Sequence, residues 1–117
     1  EEAFQWFSQA AEEAPTEGIK AKCELKMASA LIGMGRTDEA LEQALKVLYL
    51  HPEEKEAGAL ALLMAAEIYR ARGEGAKAEQ ACRRALKLSR DEEVLRKAKD
   101  ICGAKRTGTT GRRSKVR

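Results

Sequence analysis

Few side chains in this sequence could take part in covalent or metal chemistry. Three cysteines, Cys23, Cys82 and Cys102, stand far apart without a C-x-x-C spacing, and His51 is the one histidine among 117 residues. A structural zinc site needs clustered thiolates or imidazoles, and no G-x-S-x-G sequence, phosphate-binding loop or histidine pair occurs. We therefore expect no enzyme, no metal and no cofactor. The cysteines are interpreted as small apolar residues in a reducing compartment, which predicts a cytoplasmic protein.

Positive charge is concentrated at the end of the chain. The segment from Gly103 to Arg117 contains no acid, and the net charge is +3. Its basic residues are Lys105, Arg106, Arg112, Arg113, Lys115 and Arg117. They could contact phosphates of nucleic acid in a salt-dependent way, and they weakly resemble a nuclear import signal. No aromatic residue is present to stack on bases, and a solvated linker is the other interpretation of this tail.

Apolar spacing predicts helices over almost all of the remaining chain. Valine and aromatic residues are scarce, so a sheet is not expected. We predict helices over about 1–14, 17–34, 37–50, 52–72, 76–88 and 93–102. Pro52 is expected in the first turn of the fourth helix, and Ser89 with Glu92 is expected to form a capping box for the last. No apolar run approaches the ~20 residues that span a bilayer, so no membrane partner is expected.

One sequence phrase occurs twice, 38 residues apart. GRTDEALEQALKVLYL starts at Gly35, and GEGAKAEQACRRALKL starts at Gly73. A repeat of this length is typical of helical solenoids, in which each hairpin has a face that only its neighbours can bury. The sequence therefore predicts an all-α fold, a solenoid of antiparallel helix hairpins with about six helices.

These residues resemble the tetratricopeptide repeat (TPR) family. Its pattern has small residues where two helices cross, a glycine at the turn and often a proline after the second helix. The first repeat matches it at Ala28, Gly35, Ala40, Val47 and Pro52. The second matches it at Ala66, Tyr69, Gly73, Ala78 and Ala85, and a leading half repeat at Ala3, Phe7, Ala10 and Pro15.

The resemblance divides the chain into five segments. These are the second helix of a truncated leading repeat over 1–15, TPR-like repeats over 17–54 and 55–92, a closing helix over 93–102 and a basic, flexible tail over 103–117. The 38-residue spacing exceeds the family's 34 residues, and Arg90 replaces the second repeat's final proline. Because the leading repeat is incomplete, we expect a fragment of a larger protein.

Family members bind peptides in a concave groove lined by the first helix of each repeat. The matching positions here are Lys22, Leu25, Lys26, Ser29, Ile32, Leu60, Leu63, Met64, Glu67 and Arg70. Their apolar members suit a partner's amphipathic helix or apolar strand, held by burial. The alternative is that the chain's own neighbours bury them. Chaperone-binding members use an asparagine in a carboxylate clamp, and this chain has no asparagine.

The first helix contains a second predicted interface. Phe4, Trp6 and Phe7 fall within four residues, on a helix that lacks its hairpin partner. An uncovered aromatic patch of this kind is expected to be buried by something. Truncation of the parent protein, homo-oligomerisation and a bound partner helix are the three interpretations.

The resemblance implies a protein–protein interaction module, an adaptor, scaffold or co-chaperone-like unit that binds a peptide or helix of a protein partner. One alternative is a ribonucleoprotein or nucleic-acid-associated subunit that uses the basic tail, with a nuclear location. Another is the non-catalytic TPR arm of an immunophilin-type enzyme.

Overall fold

The computed structural model describes residues 2–103, and this part of the chain is helical with no strand. Its six helices are α1 (Glu2–Glu12), α2 (Glu17–Gly33), α3 (Thr37–Leu50), α4 (Lys55–Ala71), α5 (Gly75–Leu88) and α6 (Glu92–Ala98). A π-helical turn over Lys99–Gly103 continues α6. The prediction of an all-α chain with about six helices is confirmed. None of these helices has the length and apolar character that crossing a bilayer requires.

The helix bounds repeat every 38 residues. Helices α2 and α4 each contain 17 residues, and α3 and α5 each contain 14. The first pair begins at Glu17 and the second at Lys55, while α3 ends at Leu50 and α5 at Leu88. Helix α1 ends at Glu12, one further period before Leu50. The duplicated phrase therefore corresponds to a duplicated structural unit.

Each pair is joined by the same turn. Gly35 and Gly73 have φ angles of 79° and 81°, in the left-handed region that glycine occupies without a steric penalty. The N–H of Gly35 donates to the carbonyl of Ile32, and the N–H of Arg36 to that of Leu31, both at 2.9 Å. The turn at Gly73 has the two corresponding bonds. This is a Schellman motif, which satisfies carbonyls at the helix end and reverses the chain.

Small residues hold the helices together. Each helix packs on the next one along the chain, and α4 also contacts α2 and α6. Alanines occupy equivalent, fully buried positions in the two pairs, such as Ala28 and Ala66, or Ala40 and Ala78. Because a methyl group lets two helix axes approach closely, these positions set the packing of each pair. Helix α4 contacts the most other elements and has the most buried residues of the six helices, among them Leu62 and Leu63.

The fourth helix begins later than the sequence predicts. Pro52 lies in a turn that is closed by a 3.1 Å hydrogen bond from the N–H of Glu54 to the carbonyl of His51. Helix α4 then begins at Lys55. The prediction that Pro52 occupies its first turn is wrong, because the chain needs this turn to pass from one pair to the next.

The cap of α6 also differs from the prediction. The side chain of Asp91 caps α6 by accepting from the N–H of Glu93 at 3.2 Å. The Ser89 hydroxyl accepts from the N–H of Asp91 at 3.2 Å instead, in a turn that precedes the helix. Asp91 provides a negative charge where the helix dipole favours one, so it takes the role predicted for Ser89.

Two of the three cysteines are paired. Cys82 of α5 and Cys102 of the π-helical turn form a disulfide whose Cα atoms are 6.6 Å apart, while Cys23 is a free thiol. The interpretation of all three as isolated small apolar residues is therefore wrong for this pair. Cysteines 20 residues apart give no local signal in the sequence that they will pair. Disulfides are typical of oxidising compartments. The cysteines thus no longer support the cytoplasmic prediction, which stays a prediction.

Candidate functional site

The predicted groove positions lie at equivalent places on α2 and α4, two helices in contact. Leu25 and Leu63, however, are only 6% and 1% exposed. Leu25 belongs to a core cluster with Ala44 and Val47 of α3, and Leu63 belongs to the core of the second pair. The prediction that these two leucines face outward is wrong, because each points towards the second helix of its own pair.

The other predicted groove residues form a polar surface. Ile32, Leu60 and Met64 are half-buried and pack against the chain's own core clusters. The exposed members are Lys22, Lys26, Ser29, Glu67 and Arg70. The Arg70 guanidinium donates to the carbonyl of Ile101, which joins α4 to the π-helical turn. The apolar side chains on which the groove prediction depended are therefore largely covered by the chain itself.

A cleft of about 590 Å³ lies elsewhere, between α3 and α5 and above α4. Its apolar wall includes Leu45 and Leu48 of α3 and Leu88 of α5, and Tyr69 of α4 stands at one end. Tyr49 lies beside them and is 83% exposed. Apolar walls with a few polar groups are typical of binding sites. This surface, called here the α3–α5 cleft, is the strongest candidate site within residues 2–103.

Gly58 lies at the floor of the α3–α5 cleft, where the side chains of Leu48 and Leu88 pack directly on it. A Cβ atom at this position would lie 3.1 Å from Cδ2 of Leu48 and 3.3 Å from Cδ1 of Leu88. Glycine in a helix interior costs about 1 kcal/mol relative to alanine, but here it lets α4 approach both leucines. The equivalent residue of the first pair is Lys20. A long side chain thus stands in α2 where α4 has none.

Positive charge surrounds the α3–α5 cleft. Lys55, Arg84 and Lys87 are exposed at its margin. None of the three forms an ion pair with another described residue. The one acid of the lining, Glu54, directs its carboxylate towards Gly18, where a Cβ would lie 3.0 Å from Oε1. The margin therefore presents cations that have no partner within the described chain.

His51 is the one buried side chain with acid–base chemistry in this part of the molecule. Its Nε2 atom lies 2.7 Å from Oε1 of Glu24 in a hydrogen bond. Its Nδ1 atom lies 2.7 Å from Oε1 of Glu17 but has no hydrogen-bond partner. The ring joins the end of α3 to α2 and fixes their relative position. No serine or cysteine is bonded to it as a nucleophile would be.

Metal binding has no site in the described residues. Between residues 2 and 103 no group of three or more histidine, cysteine, aspartate or glutamate side chains is arranged to hold an ion. The expectation of no enzyme and no cofactor stays a prediction.

The predicted aromatic patch on α1 is partly exposed. Trp6 is 69% exposed and meets Phe7 edge to face at 5.7 Å between ring centroids, while Phe4 and Phe7 are half-buried. The residue equivalent to Trp6 in α3 is Ala44, which is fully buried against α2. Trp6 therefore lies on the face that, in α3, packs against the preceding helix. The predicted nucleic-acid contacts from Lys105 to Arg117 fall outside the described residues.

The chain matches no family model, no curated protein and no solved structure. The α3–α5 cleft was not predicted, because the family resemblance directed attention to the first helix of each repeat. One signal was present in the sequence. A comparison of the two repeats, position by position, places Gly58 against Lys20 and marks a helix interior without a side chain.

Proposed function

We propose that this chain is a protein-binding module, a solenoid of helix hairpins whose architecture resembles that of the TPR family. The observation that carries the proposal is the 38-residue period, which applies to helix lengths, turns and buried positions together. Repeats stacked in this way bury one face of each pair and leave long surfaces for partners. The Cα dimensions of 55 × 28 × 19 Å support an elongated stack.

The character of the surface favours binding over catalysis. The α3–α5 cleft combines leucine side chains with an exposed tyrosine and cations at its margin. Tyrosine and arginine are enriched where proteins bind other proteins, since each offers a large contact area with polar groups at the end. The one buried histidine, His51, lines the cleft but is hydrogen-bonded to Glu24, and no described serine or cysteine is bonded to it as a nucleophile would be.

Photo-crosslinking tests the proposal directly. We would place a photoreactive phenylalanine at Tyr49 in the α3–α5 cleft, at Lys26 on the α2–α4 surface and at Glu79 as an exposed reference position. Irradiation of the full chain in an extract of its own organism should give discrete protein adducts from the first or second position but not from the third. Nuclease treatment should leave them intact. Absence of adducts, or their loss after nuclease treatment, would contradict a protein-binding role.

A further inference from the structure

The α3–α5 cleft has a chemistry that indicates what kind of partner it fits. We infer that it binds an acidic linear segment of another protein, in which one or two large apolar side chains stand between aspartate and glutamate residues. This inference rests on the proposed protein-binding function. It places the binding site on α3 and α5, the second helices of the two pairs, rather than on the surface of α2 and α4.

The apolar part of the inference depends on the walls of the cleft. Leu45 and Leu48 on one side and Leu88 on the other line the cleft, and Leu48 and Leu88 cover Gly58 at its floor. An apolar side chain that packs on these leucines would be removed from water, and burial of that surface is the main source of affinity for short segments. Tyr49 can pack beside the bound segment and still offer its hydroxyl for a hydrogen bond.

The length of the cleft limits the size of the segment. The lining of α4 extends from Lys55 to Tyr69, which at a rise of 1.5 Å per residue is about 21 Å. An extended peptide rises about 3.3 Å per residue, so roughly six residues fit. A segment of this size can supply two apolar anchors with acids on either side.

The acidic part of the inference depends on charge complementarity. Lys55, Arg84 and Lys87 lie at the margin without ion-pair partners among the described residues, and the Glu54 carboxylate is directed away from them. Carboxylates of a bound segment would meet these cations, while a basic segment would be repelled. Charges at an exposed margin contribute mainly to specificity and to the association rate, and salt screens them.

The test uses a fluorescein-labelled peptide of sequence Glu-Asp-Phe-Glu-Asp-Leu-Asp and fluorescence anisotropy with the full chain. We expect a Kd on the order of 10 μM, typical of short segments with few anchors. One reference peptide has lysine in place of each acid, and another has serine in place of Phe and Leu. Both should bind at least about tenfold more weakly. Each loss then corresponds to about 1.4 kcal/mol of binding free energy, contributed by the charges in the first case and by burial of Phe and Leu in the second.

Three variants assign the binding to the cleft. Arg84→Glu with Lys87→Glu should weaken binding at least about tenfold and remove most of its salt dependence. The matched control, Lys22→Glu with Lys26→Glu, makes the same charge change on the α2–α4 surface and should stay within about twofold. Gly58→Leu places an uncharged side chain against Leu48 and Leu88, displaces them from the floor of the cleft and should also weaken binding about tenfold. Gly58→Ala is the smaller change to use if the leucine variant fails to fold by circular dichroism.

Several results would overturn the inference. These are equal binding of acidic and basic peptides, equal losses in the two double-charge variants, or tighter binding of a single-stranded RNA 12-mer that Arg84→Glu abolishes. A dimer in sedimentation experiments that the cleft variants dissociate would replace the separate partner by a second copy. Protein adducts from Lys26 with none from Tyr49 would leave the protein-binding function standing and contradict only the cleft.

Discussion

The two helix pairs have the same backbone but different contents. Pairs α2–α3 and α4–α5 agree in helix length, in turn geometry and in their buried alanines. They differ at several pairs of equivalent positions, which are 38 residues apart in the sequence. The main differences place Glu24 against Leu62, His51 against Ser89, Lys20 against Gly58 and Ala44 against Cys82.

The comparison shows which residues determine the fold and which give each pair its own character. Alanine positions at the helix crossings are shared, so they set the geometry. The variable positions lie towards the junction between pairs, where the first pair buries an imidazole bonded to a carboxylate and the second buries a leucine. The same backbone therefore holds a polar cluster in one pair and an apolar core beside an open cleft in the other.

The largest expected effect comes from transferring the carboxylate of the first pair to the second. Leu62 is 1% exposed, and Leu62→Glu would bury a carboxylate with no histidine beside it. Leaving a charge uncompensated in this way costs about 3–5 kcal/mol. We expect a loss of this size in the free energy of unfolding, measured by urea denaturation.

A second substitution decides whether the missing partner is the cause. Leu62→Glu with Ser89→His supplies an imidazole at the position equivalent to His51 and should recover about 1 kcal/mol or more. Equal stability of the single and double variants would show that the pairs are not equivalent at this junction.

The next effect concerns the disulfide, which the first pair lacks. Cys82→Ala introduces alanine, the residue type of the equivalent Ala44 in the first pair. It removes the disulfide that joins two cysteines 20 residues apart. The unfolded chain gains entropy equivalent to about 3 kcal/mol, and α6 loses its attachment to α5. Thermal unfolding should show this loss in Cys82→Ala and in the reduced native chain alike. Cys23→Ala, which removes the free thiol, should cost less than about 1 kcal/mol.

A smaller effect is expected at the polar cluster of the first pair. His51→Ala leaves the largely buried Glu24 carboxylate without its hydrogen bond, and an unsatisfied buried group costs about 1–3 kcal/mol. Glu24→Leu with His51→Ser reproduces the second pair and should be within about 1 kcal/mol of the native chain, or more stable. Urea denaturation of both variants checks this, and a double variant less stable than His51→Ala would contradict the comparison.

Sequence reasoning predicted the helices well but wrongly placed Leu25 and Leu63 on an open surface, for a physical reason. Helix bounds depend on local signals such as Gly35 and Gly73, which act within one turn of the chain. Whether Leu25 lines a groove or fills a core depends on which helix covers it, and only the packed pairs decide that. The Cys82–Cys102 pairing likewise follows from the position of α6, which no local pattern specifies.

The smallest expected effect tests whether the two turns are the same. Gly35→Ala and Gly73→Ala each force a Cβ into the left-handed region, which costs about 1–2 kcal/mol. Because the space around both glycines is open, no packing term is added, and the two losses should agree within about 0.5 kcal/mol. Gly33→Ala is the matched control, since this helical glycine also has open space and should instead gain about 0.4–1 kcal/mol. Unequal losses at Gly35 and Gly73 in urea denaturation would mean that the pairs share a turn shape but not the same local stability, so the period would describe geometry alone.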